Sequence, residues 1–267
     1  MNEVGFNREQ SKLRLRYCVL KEHVASQIEM RQMLVKTEGP NIKARYMMFI
    51  GRLEFKAYEL KVELKRWKRR LALRQAMLNR GEVPDLAAIE ATLAREFEEY
   101  MAEVTRRAEE IEANKRLFAA ERIPGKMATA VRAAYLDAVK RLHPDLNPDL
   151  PDAAKDLWNE IQAAYAARDW DAVLHLAALA DSVVSGEADF ASATDAIAAM
   201  KEACARLEEK SRELDEEIHR IQNSAPFTYE ALINDPEKIA ARQDELKAEI
   251  AELKVRIGKC EEVWKNG

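Results

Sequence analysis

Glycine and proline are scarce: the 267 residues contain 8 of each. A chain so poor in turn formers has few places to reverse, and a glycine-rich phosphate cradle has little to be built from. Cysteine occurs at Cys18, Cys204 and Cys260, with neither metal-ligand spacing nor the pattern of a disulfide framework. The four histidines, His23, His143, His175 and His219, are scattered, which argues against a metal site. Apolar runs are short and broken by charge, so none is fit to span a bilayer. The opening MNEVGFNREQSKLRLRY has no apolar core of a signal peptide. Net charge is only −4, so no global field draws the chain to nucleic acid or an acidic membrane. Carboxylates are plentiful but sit at solvated helix positions, with no pair set apart as acid and base. The expectation is a cytoplasmic, non-enzymatic protein without cofactor or metal.

Charge and aliphatic carbon dominate what remains. Charged residues make up 34% and hydrophobic ones 48%. That is the balance of long helices and coiled coils. Breakers fall at TEGPN (37–41), NRGEVPD (79–85), RIPGK (122–126), HPDLNPDLPD (143–152), SGEAD (185–189) and NSAPFTYEALINDP (223–236).

Heptad seams run between the breakers. After Asn41, Tyr46, Ile50, Leu53, Ala57, Leu60, Leu64, Trp67 and Leu71 alternate spacings of four and three. After Asp85 the seam is Leu93, Phe97, Tyr100, Val104, Arg107, Ile111, Asn114 and Phe118. The first segment carries Leu13, Tyr17, Leu20 and Val24, then Gln27 and Arg31 in the same phase. Short turns make neighbouring helices antiparallel, so layer partners keep a constant sum of residue numbers. Tyr17 then pairs with Leu60 and Val24 with Leu53, about the TEGPN turn. Leu71 pairs with Leu93, Trp67 with Phe97 and Leu64 with Tyr100, about NRGEVPD. Residues 8–121 therefore read as an antiparallel three-helix coiled coil, forming a domain over 1–122. Each buried seam side chain contributes about 1.5–3 kcal/mol before entropy is subtracted.

Residues 196–265 repeat the pattern. One seam is Met200, Cys204, Leu207, Ser211, Leu214, Ile218 and Ile221. The other is Ile239, Leu246, Ile250, Leu253, Ile257, Cys260 and Trp264, opened by Asp235-Pro236 as cap and first turn. Folded as an antiparallel hairpin, they pair Met200 with Trp264 and Cys204 with Cys260. The basic run KVELKRWKRR (61–70) reads as the partner of acidic REFEEYMAE (95–103), not as a nucleic-acid surface.

The middle segment, 123–183, is different. VRAAYLDAVKRL places Val131, Tyr135, Ala138 and Leu142 on one helical face, and Pro144 stops that helix at His143. After Asn147-Pro148-Asp149 a second helix begins among Asp149 and Asp152, suited to the positive end of its dipole. It carries Leu157, Trp158, Ile161, Ala164 and Tyr165 toward the first. A short third helix, WDAVLHLAALA, follows Arg168-Asp169. The result is a small helical hairpin with His143, Pro144 and Asp145 at its tip.

VRAAYLDAVKRLHPDLNPD with AKDLWNEIQAAY resembles the J-domain of DnaJ-type co-chaperones, which has the form hxxAYxxxxxxhHPDxNP followed by hxEIxxAY. The matches are Val131, Ala134, Tyr135, Leu142, His143-Pro144-Asp145, Asn147, Pro148, Trp158, Glu160, Ile161, Ala164 and Tyr165, over about 45 residues. Coiled coils flanking a divergent J-like module give the whole chain the look of bacterial proteins of that layout. The resemblance implies an all-α fold in which long antiparallel helices flank a J-like hairpin. It also implies docking on a DnaK-type chaperone whose ATP hydrolysis the loop stimulates. Asp145 would be the key ionic contact, His143 and Pro144 would shape the loop, and Arg132, Lys140 and Arg141 would supply positive charge. Two departures stand beside it. The family's first helix, with its Tyr-x-x-Leu-Gly signature, has no counterpart before Val131, a surface the third helix of the coiled coil is expected to supply. Leu136 and Asp137 replace the basic residues usual after the tyrosine. Two readings stay open: a co-chaperone whose coiled-coil arms bind client or assembly partners, and a scaffolding coiled coil with a degenerate J-like module.

Overall fold

The computed structural model describes residues 3–120, 125–183 and 193–266. Every regular element among the described residues is helical, so the chain is all-α as expected. The breakers at 185–189 and at 122–124 lie outside the described residues.

Helix α1 covers Glu3–Met33, α2 Gly39–Tyr46 and α3 Arg52–Asn79. They are joined by two π-helical turns, Leu34–Glu38 and Met47–Gly51. The turn expected at 37–41 is therefore absent: helical backbone runs from Glu3 to Asn79. Pro40 has no N–H to donate, and in α geometry its ring would press on the carbonyl four residues back. The wider π turn accommodates it, with the Gly39 N–H donating to the Leu34 carbonyl. Gly39 suits this closeness, because a Cβ there would lie 2.9 Å from that same oxygen. Proline at this position widens the helix and does not end it. In the second π turn the Phe49 carbonyl accepts from Gln243 Nε2 at 2.8 Å.

The remaining helices are α4 (Leu86–Glu96), α5 (Glu98–Ala119), α6 (Gly125–Leu142), α7 (Asp152–Ala167), α8 (Trp170–Ala178), α9 (Ala180–Val183), α10 (Ala193–Gln222), α11 (Glu230–Ile233) and α12 (Pro236–Asn266). Asp85 caps α4 by accepting from the Ala87 and Ala88 N–H groups. Asp235 caps α12 in the same way from Glu237 and Lys238, as its sequence position predicts.

Two compact units are formed, one of Met1–Pro40 with Glu121–Thr228, the other of Asn41–Ala120 with Tyr229–Gly267. The segment 123–183 stays together in the first, whereas 1–122 and 196–265 each contribute to both.

In the first unit α10 lies along α1, and the contacts give the direction. Lys201 pairs with Glu9, Glu208 with Arg16, and Glu217 with Arg31, so the residue numbers rise together. The two helices are parallel. The second unit repeats this: Glu54 meets Arg242, Lys61 meets Glu249, and Arg74 meets the Trp264 carbonyl. The expected antiparallel pairing of α1 with α3 and of α10 with α12 is therefore replaced by parallel pairs. Tyr17 packs on the first unit's core and Leu60 in the second's; Cys204 is buried along α10 in the first unit, and Cys260 packs in the second.

Most of the seam positions are right, with Phe118 an exception that is exposed. Ala57, Leu60, Leu64 and Trp67 pack with Ile250, Leu253, Ile257 and Cys260. Met200, Cys204, Leu207, Leu214 and Ile218 are buried along α10. An antiparallel pairing about NRGEVPD does form, with Arg69 on Glu96, Lys65 donating to the Tyr100 hydroxyl, and Arg107 over the Tyr58 ring, but without the expected Trp67–Phe97 and Leu64–Tyr100 layers. It uses another face of α3. Tyr58, Val62, Leu73 and Met77 meet Ile89, Leu93, Phe97 and Tyr100, because α12 already covers the seam that includes Trp67.

Candidate functional site

The 143–149 loop is built from its flanking helices inward. On α6, Val131, Tyr135, Ala138 and Leu142 are buried, joined by Val139. On α7, Leu157, Trp158, Ile161 and Tyr165 face them. The Tyr135 ring contacts those of Trp158 and Tyr165, with centroids 5.7 and 4.6 Å away. Its hydroxyl accepts from Gln162, and burial pushes its pKa well above that of a free phenol. Helix α8 closes the core with Val173 and Ala177.

Helix α6 ends at Leu142, one residue before the position that Pro144 holds out of helical geometry. The His143 carbonyl accepts from the N–H groups of Leu146 and Asn147, each at 3.0 Å. Asn147 Nδ2 donates back to the Lys140 carbonyl at 3.0 Å, satisfying a free acceptor at the helix end. Leu146 and Leu150 are buried, pinning the loop at two points. His143 lies edge-on to Trp158, 5.2 Å between centroids. Its Nδ1 accepts from the Asp145 N–H at 3.1 Å, so this nitrogen carries no proton. Burial lowers its pKa to about 4, against the opposing pull of Asp145. The ring is thus neutral at pH 7 and acts as a wedge. Pro144 and Asp145 are exposed at the tip.

The charged residues expected around the loop are present but engaged within the chain. Arg132 bonds Glu29 of α1 at 3.0 Å, and Lys140 bonds Glu22 of α1 at 2.5 Å. Arg141 bonds Asp137 one turn back, at 3.0 Å. The Asp145 carboxylate takes a cation from another helix, Lys210 of α10, 2.8 Å away. Lys21 of α1 donates to Asn147 Oδ1 at 2.8 Å. Glu29 is nearly inaccessible, its side chain 4% exposed, and burial raises its pKa against the pull of Arg132.

Helix α1, not the third helix of the N-terminal segment, supplies the surface that packs on the hairpin. Val24, Ala25 and Ile28 enter its core, with Tyr17 and Leu20 packed at the edge. On the other side of α1, Gln27 donates to the Ser211 carbonyl and to Asp215 of α10. Lys21, Glu22, Glu29 and Lys210 escaped the sequence reading, because nothing local marks which helix covers the loop.

Among the described residues no cluster of His, Cys, Asp and Glu is arranged to hold a metal ion, and no helix is long and apolar enough to cross a membrane. A groove of about 560 Å³ in the second unit is lined by Phe49, Leu53, Phe55 and Ile111, with Arg52, Lys56, Glu59 and Glu112 around them. Compared with known proteins, the chain matches no family model, no curated protein and no solved structure.

Proposed function

We propose that this protein is a J-domain-like co-chaperone. Its 143–149 loop docks on a DnaK-type chaperone and stimulates ATP hydrolysis there, while its coiled-coil helices bind client or assembly partners in the cytoplasm. The protein itself does no covalent chemistry. One observation carries the reading. The loop is braced by its own hydrogen bonds and by the His143 wedge, so that the Asp145 carboxylate stands at the tip of a rigid hairpin. A connecting loop needs none of this. Tyr17 and Leu20 of α1 add support: at the spacing of the family's first-helix signature, although without its glycine, they pack against the core that the hairpin shares with α10.

The second reading is a scaffold with a degenerate module. It is favoured by the internal engagement of Arg132, Lys140, Arg141 and Asp145. Asp145→Asn separates the two, because it keeps size and turn propensity while removing the charge. Loss of one charge-assisted contact costs roughly 1.5–3 kcal/mol, about ten- to a hundredfold in productive docking. The measurement is single-turnover ATP hydrolysis by the cognate chaperone. Stimulation by wild type that the variant abolishes supports the co-chaperone. No stimulation by wild type at saturating concentration leaves the scaffold.

A further inference from the structure

The Asp145 carboxylate already has a cation. Lys210 reaches it from α10, and its remaining contact is Glu213 at 3.5 Å on its own helix. The pair does little to shape the loop. Loop geometry is set by bonds from Leu146, Asn147 and Asp145 to His143, and from Asn147 to Lys140. The lysine is nevertheless held in place. Leu207 and Leu214 bury on either side of it, and Gln27 fixes the intervening turn through the Ser211 carbonyl and Asp215. Helix α10 is therefore locked in a register that aims one ammonium at the loop tip. A second cation from a partner meets a carboxylate that is already neutralised, with a helix lying beside it.

We propose that α10 is a built-in competitor for Asp145: Lys210 occupies the carboxylate that a chaperone must engage, and docking requires Lys210 to leave. This rests on the co-chaperone reading above. Both members are partly solvated, with side chains 30% and 39% exposed, so the brake is weak and reversible. Anything that draws α10 from α1 releases the loop.

The test uses the full chain as wild type, Lys210→Ala, Lys210→Arg and Lys201→Ala. Lys201 lies on the same helix but pairs with Glu9, far from the loop in sequence. Two readouts are taken on each. One is the rate at which a carbodiimide couples a small amine to the Asp145 carboxyl, followed by mass spectrometry. The other is stimulation of the cognate chaperone's ATP hydrolysis at subsaturating protein. Lys210→Ala should raise both about two- to fivefold, the range a partly exposed ion pair can hold back. Lys210→Arg and Lys201→Ala should match wild type, with circular dichroism confirming unchanged helix. If Lys210→Ala labels Asp145 no faster than wild type, the competitor proposal is overturned and the co-chaperone reading stands. Faster labelling with unchanged, non-zero stimulation also overturns it. Faster labelling with no stimulation by any variant removes the co-chaperone reading instead, leaving the ion pair as structural.

Discussion

The Arg132–Glu29 pair is asymmetric: the carboxylate is buried and the guanidinium is mostly in solvent. Removing either end therefore has unequal effects. Arg132→Ala strands a buried charge and should destabilise by about 1–3 kcal/mol. Glu29→Gln leaves a solvated arginine and a neutral amide, and should stay within about 1 kcal/mol of wild type. Urea denaturation of both variants checks this; equal losses would mean that Glu29 is solvated. His143 gives a pH dependence whose sign follows from its lowered pKa. The folded ring titrates at about 4, below the usual 6.5, so protonation favours the unfolded chain. Its contribution is complete above about pH 6.5 and is lost as pH falls through 4. An NMR titration of the imidazole should show a midpoint near 4. A midpoint at the ordinary value would show that the ring is not held against Trp158. The residues of this hairpin were the most legible part of the sequence. Proline stop, buried face and tip all follow from local rules acting over a few residues.

At the scale of the element, periodicity identified apolar faces but not their partners. Ala57, Leu60, Leu64 and Trp67 form a seam, yet the pattern carries no label for which other seam covers it. The antiparallel assignment of α1 to α3 relied on reading TEGPN as a turn. A π turn absorbs Pro40 and leaves α1 and α3 in one run of helical backbone, unable to pair as a short hairpin. Where a real turn exists, at Gly81 with φ +75°, the reading of antiparallel neighbours gave the right direction, though on another face of α3. The two helical glycines on either side of this contrast can be tested together. Gly258 lies in open space within α12, so Gly258→Ala should stabilise by about 0.5–1 kcal/mol through helix propensity. Gly39→Ala meets a backbone oxygen at 2.9 Å and should forfeit that gain, melting below wild type. Thermal unfolding of both variants decides it. A stabilised Gly39→Ala would mean that the π turn relaxes readily.

For the molecule as a whole, the decisive pairings are long in sequence and left no local mark. Arg16 meets Glu208 and Glu54 meets Arg242, separations of 192 and 188 residues. Each compact unit draws on two distant stretches of chain. It follows that the hairpin is incomplete alone: residues 125–183 lack Val24, Ala25 and Ile28 of α1 and Leu207 and Leu214 of α10. That fragment should show poorly dispersed NMR spectra and no cooperative melt, whereas Met1–Pro40 with Glu121–Thr228, joined by a flexible linker, should melt cooperatively. A sharp melt of the isolated fragment would contradict the shared core. The parallel pairing of α1 with α10 also sets an order of events during synthesis. At about 5–20 residues per second, the face of α1 that carries Val24 waits roughly 5–20 s for the hairpin helix that begins to cover it at Val131, and α10 follows later still. Throughout that interval the nascent chain presents an uncovered apolar stripe at the ribosome.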